Sequence, residues 1–156
     1  EICACLVGSE MCIRDRFVIL PNLPGSGING ATKKIGQNVM LMVNDRRFYS
    51  DTFWFTLFHE IGHIINGDYG ITFENEHAGQ EDAADKYAED KLIPPGEYEA
   101  FVRMNEFSEN AIRRFAERID RDPGIVLGRL QNDQIVPFTN VALSKALKHK
   151  YKVITS

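Results

Sequence analysis

A chain of 156 residues is the size of one compact domain with a single apolar core, and 44% hydrophobic with 26% charged residues excludes a disordered or fibrous polymer. Its net charge of −4 argues against direct nucleic-acid binding through phosphate contacts, which requires a basic surface. No run approaches the roughly 20 apolar residues that span a bilayer, and the start lacks the basic stretch and apolar run of a secretory signal, so no membrane partner and a cytoplasmic location are expected.

Residues 1–16 stand apart. Cys3, Cys5 and Cys12 crowd this end, an odd set that cannot make a disulfide framework, and a Cys-x-Cys metal pair lacks partners at a familiar spacing. The run Ser9-Glu10-Met11-Cys12-Ile13-Arg14-Asp15-Arg16 resembles the translation of a sequencing adapter, so we read 1–16 as artefactual and exclude it from functional argument.

Phe17 to Leu20 is a β-favouring apolar run closed by Pro21, Asn22, Pro24 and Gly25, which predicts a strand entering a loop. Ile28 to Ile35 is a candidate second strand. Val39 to Val43 is apolar at every position, which predicts a third strand covered on both faces. Asp51 is the expected N-cap of a helix running through Ile65 and stopped by Asn66-Gly67; apolar almost all round, it is expected to be buried. Residues 68–80 have turn composition.

A second helix spans Glu81 to Ile93 and ends at Pro94-Pro95, which cannot continue it. A third follows Gly96, with Tyr98, Phe101 and Val102 on one side. Ser108 caps a fourth that repeats Ile112, Phe115, Ala116 and Ile119 at helical spacing, and Asp122-Pro123 starts a fifth bearing Ile125, Val126 and Leu130. The basic residues Lys145, Lys148, Lys150 and Lys152 read as a solvated helix face. Strands precede helices, so the expected class is α+β, with a core at 17–105 and a helical subdomain at 106–156.

His59-Glu60-Ile61-Gly62-His63 carries the chemistry. Residues four apart differ by about 40° around a helix, so both imidazoles leave one face as a metal clamp. Glu60 beside them reaches a water at the metal rather than the metal itself, the placement a general base needs. Two satisfied core histidines are the bland alternative. Desolvating two histidines and a carboxylate in an apolar helix costs several kcal/mol, which a zinc ion relieves. Catalytic zinc takes a third protein ligand, and the second helix offers Glu81, with Asp85, Ala88 and Leu92 on the same face. Asp85 is placed to accept the second N–H of a ligand histidine, and the small Ala88 allows close helix approach. Glu81 read alone is a carboxylate favoured by the helix dipole. His77 reads better as a loop histidine, Tyr87 suits packing as well as a transition-state contact, and Glu74 and Glu76 read as solvated.

The segment Phe55-Thr56-Leu57-Phe58-His59-Glu60-Ile61-Gly62-His63, with Glu81-Asp82-Ala83-Ala84-Asp85-Lys86-Tyr87-Ala88-Glu89-Asp90-Lys91-Leu92-Ile93-Pro94-Pro95, resembles the ImmA/IrrE family of metallopeptidases. The likeness extends from Phe17 through Gly30-Ala31-Thr32 to Gly124-Ile125-Val126-Leu127-Gly128-Arg129-Leu130, its second segment being the more specific. The resemblance implies a zincin-like fold, zinc on His59, His63 and Glu81, and Glu60 as base; Asp85 stands where many members have Asn. It implies a protein substrate, a DNA-binding helix-turn-helix repressor or antitoxin-like regulator. Many members carry an upstream DNA-binding domain; none precedes residue 17, so a piece of a longer regulator is expected. Two other readings are a catalytically silent sensor of the same fold, and a transcription-factor fragment reading DNA with the helices between Ser108 and Gln131. Against the latter, Arg113, Arg114 and Arg118 are balanced by Glu109, Glu117 and Asp120.

Overall fold

The computed structural model describes residues 16–20, 28–44, 49–73 and 79–151. The order is β1 (Arg16–Leu20), β2 (Ile28–Ile35), β3 (Asn38–Asn44), α1 (Ser50–Asn66), β4 (Ile71–Phe73), α2 (Gly79–Leu92), α3 (Pro95–Met104), α4 (Glu109–Arg118), α5 (Pro123–Asn132) and α6 (Val141–Leu147). The class is α+β, as expected. Cys3, Cys5, Cys12, Glu74, Glu76, His77 and Lys152 lie outside the described residues.

The four strands form one sheet in the order β1-β3-β2-β4, with β1 parallel to β3 and the other pairs antiparallel. Gly36, at φ 65, turns β2 into β3, a backbone conformation that costs glycine little. On β3, Leu41 and Val43 are buried while Met40 and Met42 are half-buried, so the all-apolar run is covered more fully on one face than on the other. Arg16, assigned to the excluded segment, pairs with Met40 as the first residue of β1. The sequence reading missed β4: three residues are too few to show a period, and the strand exists through its pairing with β2 and the Thr32 N–H bond to the Gly70 carbonyl (2.8 Å).

Helix α1 lies across β2 and β3 and against α2 and α5. Two expectations for it need correction. Its N-cap position is Tyr49, which makes no side-chain cap; Asp51 sits inside the first turn, buried, where its Oδ2 pairs with Lys148 Nζ at 2.8 Å. The Ser50 N–H bonds instead to the His149 carbonyl (3.0 Å), and Tyr49 forms a β-bridge with Lys150. Lys148 is therefore part of a buried ion pair rather than a solvated face. Nor is the helix buried all round: its buried residues are Asp51, His59, Glu60, Gly62 and His63, while Trp54 and Ile65 are exposed. Gly67 ends it in the left-handed region, as Asn66-Gly67 predicts.

The main apolar core belongs to the helices: Leu92, Ile93, Tyr98 and Phe101 pack with Ile112, Phe115, Val126, Leu127, Leu130 and Leu147, and Phe55 and Phe58 of α1 lean on this cluster. Phe101 and Phe115 stack at 4.3 Å. Ser108 caps α4 and Asp122 caps α5, as the sequence indicates. The third helix starts at Pro95, one residue before Gly96. Among the described residues no helix is long and apolar enough to cross a membrane.

Candidate metal centre

The helical period of α1 sends His59 and His63 out together, and both are buried. Their Nε2 atoms are 3.0 Å apart. Glu81, in the first turn of α2, meets them with Oε2 at 3.1 Å from His59 Nε2 and Oε1 at 3.5 Å from His63 Nε2. One ligand atom from each of the three residues lies within 4.8 Å of the others, so this group could hold a metal ion. Bonds of about 2.0–2.1 Å in tetrahedral directions set ligand atoms about 3.4 Å apart, and the 3.0 Å between the rings and the approach of one Glu81 oxygen to each ring, at 3.1 and 3.5 Å, are of that order.

Asp85, one turn along α2 from Glu81, places Oδ1 2.7 Å from His59 Nδ1. A carboxylate only accepts, so Nδ1 donates, and the neutral ring turns the lone pair of Nε2 towards the cluster. Burial lowers the His59 pKa, but the Asp85 hydrogen bond and the charges of Asp85, Glu60 and Glu81 outweigh it and leave it raised. The two rings meet edge to face with centroids 4.7 Å apart.

Glu60 is fully buried, about 100° round the helix from His59 and about 60° from His63, and its carboxylate lies against Gly30 of β2 while its charge still acts on His59. The residues singled out from the sequence therefore come together: His59, His63 and Glu81 as a donor set, Asp85 behind it and Glu60 beside it. Tyr87 is half-buried, with Lys91 Nζ 5.5 Å from the centre of its ring.

The sequence reading assigned the close approach of α1 and α2 to Ala88 and overlooked Gly62 and Ala84. A Cβ at Gly62 would stand 3.0 Å from Ala84 Cα and 3.3 Å from Ala84 Cβ, so the approach runs through Gly62 and Ala84 as well as the buried Ala88. The signal was available: small residues sit where two helices must nearly touch.

One turn beyond His59 and Asp85, a cavity of about 360 Å³ opens between α1, α2 and α5, with Phe55 and Leu92 among its apolar walls. Two ion pairs belong to it, Arg129 Nη1 with Glu89 Oε2 at 2.9 Å and Lys148 with Asp51. The Arg129–Glu89 pair ties α5 to α2, and Arg129 also bonds Asp133 (2.8 Å) at the end of its own helix. Comparison with models of known protein families and with curated proteins gives no match, so the chemistry of these side chains carries the functional reading.

Proposed function

We propose that the chain is a zinc-dependent peptidase, zincin-like and of the ImmA/IrrE type, that cleaves a DNA-binding repressor or antitoxin-like regulator. The observation that carries this reading is the convergence of His59, His63 and Glu81 on one point, with Asp85 orienting His59 and a buried Glu60 on the adjacent face. His59, His63 and Glu81 would hold the ion, a donor set of two imidazoles and one carboxylate that suits zinc. When bound, zinc supplies a Lewis acid that polarises a peptide carbonyl and makes water more acidic. Glu60 then takes the proton of the attacking water on its carboxylate and returns it to the leaving amine, and its burial keeps bulk water from competing for that proton.

The DNA-reading alternative is disfavoured by packing. Ile125, Val126, Leu127, Leu130 and Gln131 of α5 are buried, Arg113 pairs with Glu109, Arg118 with Glu97, and Arg129 with Glu89 and Asp133. Partly buried or paired arginines are poorly placed to contact phosphates.

The first test is metal content of purified wild type against Glu81→Ala, followed by incubation with helix-turn-helix repressors and mass spectrometry of the products. About one zinc per chain, greatly weakened in the variant, and peptide cleavage that Glu60→Gln abolishes without loss of metal are expected, because a positioned general base contributes about 10²–10⁴-fold. Full activity in Glu60→Gln would sink the assignment. Zinc binding without turnover would make the chain a sensor on the same scaffold.

A further inference from the structure

Gly30 of β2 lies directly against Glu60. A Cβ built there would stand 2.2 Å from Oε1, 2.6 Å from Cδ and 2.7 Å from Cγ of Glu60, far inside van der Waals contact. Among the described residues the positive-φ glycines are Gly36 and Gly67, so the backbone at Gly30 suits ordinary L residues and only the space demands glycine. Glycine inside a strand is otherwise a weakness, with no side chain to pack and more freedom to lose. The pairing of β2 with β4 slips between Ile28 and Gly30, so Asn29 is inserted as a bulge one residue away, and the Asn44 side-chain amide donates to the Ile28 carbonyl on its far side. Bulges bend a strand locally and occur beside functional sites, where they re-aim its residues.

We propose that Gly30 is a positioning residue for Glu60: the bare backbone of β2 is the wall against which the carboxylate lies beside His59, His63 and Glu81. Any side chain at position 30 displaces the Glu60 carboxylate while leaving the three metal-binding side chains untouched. Metal binding and proton transfer then become separable from the strand side of the site. The kinetic half of this inference rests on Glu60 being the base; the steric half does not.

The experiment is a thermal-unfolding cycle of four proteins, wild type, Gly30→Ala, Glu60→Ala and the double variant, each metal-free and with added zinc. Gly30→Ala should lower Tm by several degrees when Glu60 is present and not lower it in the Glu60→Ala background, where the clashing atoms are gone. Equal losses in both backgrounds would overturn the proposal by making Gly30 a residue of the sheet alone. If Gly30→Ala fails to fold, folding of the double variant supports the proposal and its failure overturns it.

Where peptidase activity is present, Gly30→Ala should bind zinc like the wild type, keep its KM and lose about a hundredfold in kcat, the cost of about 1 Å of misplacement. Shortening the acid in the same protein, Gly30→Ala with Glu60→Asp, should be more active than the product of the two single losses predicts. Wild-type kcat in a folded Gly30→Ala would overturn the kinetic half. An inactive wild type would count against the peptidase reading and leave the thermal cycle to decide the steric half.

Discussion

Helix α1 and the helical core that packs against it bury opposite kinds of residue. In the helical core, Ile112, Val126, Leu127, Leu130 and Leu147 are fully enclosed, and their removal from water stabilises the fold directly. In α1 the enclosed side chains are Asp51, His59, Glu60 and His63, while Trp54 and Ile65 stay 37% and 61% exposed. Burying ionisable groups costs free energy unless each is paired or coordinated. Helix α1 is anchored to the helical core through Phe55 and Phe58 and to the segment after α6 through Lys148 on Asp51.

Variants can break or sharpen this contrast. The largest effect is expected from Lys148→Ala, which leaves the Asp51 carboxylate buried without its cation and should cost about 3–5 kcal/mol in denaturant unfolding. Adding Asp51→Asn should restore most of that; no recovery would mean that Lys148 acts through its packing. Leu130→Ala should cost about 2–5 kcal/mol, equally with and without zinc, because it opens a cavity in the helical core, to which none of the three candidate ligands belongs. A loss that depended on metal would couple core and site more tightly than this contrast allows.

On the site side, Asp85→Ala should weaken zinc affinity about 10–100-fold, measured by competition with a chromophoric chelator, since the ring of His59 loses the acceptor that fixes it. Unchanged affinity would remove Asp85 from the site.

The smallest effect concerns Glu89. Burial raises its pKa above the ordinary 4.5, against the lowering by Arg129 and with help from the charges of Asp133 and Asp85. A raised carboxyl favours the folded state while protonated, below about its ordinary value, and that advantage disappears as pH rises through the folded value. Stability of Glu89→Gln relative to wild type should therefore rise with pH across that window. Parallel stability curves from pH 4 to 8 would show that Arg129 fully compensates the burial.

Much of this was legible in the sequence because the signals were local. The four-residue spacing of His59 and His63 fixes one helix face, and Ser108 and Asp122 mark helix starts that the structure keeps. Glu81 and Asp85 were legible as a face of α2, although α2 begins at Gly79, two residues before the expected start. What was not legible depends on distant partners. Asp51 has the composition of an N-cap, but its carboxylate is engaged by Lys148, almost a hundred positions away, and the helix starts one residue before it. The apolar run of α1 predicts burial, yet a helix cannot tell from its own residues how much of it neighbours will cover. Gly30 reads as a weak point in a strand until Glu60 is seen against it.

The bridge between Tyr49 and Lys150 sets an order in time. On the ribosome, residues around Lys148 and Lys150 are made roughly 5–20 s after Asp51, at about 5–20 residues per second. During that interval the first turn of α1 has neither the His149 carbonyl nor the Lys148 ammonium that it uses in the finished fold. The first turn of the helix carrying His59, Glu60 and His63 therefore gains these partners only after the segment around Lys148 has emerged, and until then its ordering rests on contacts made nearer in sequence.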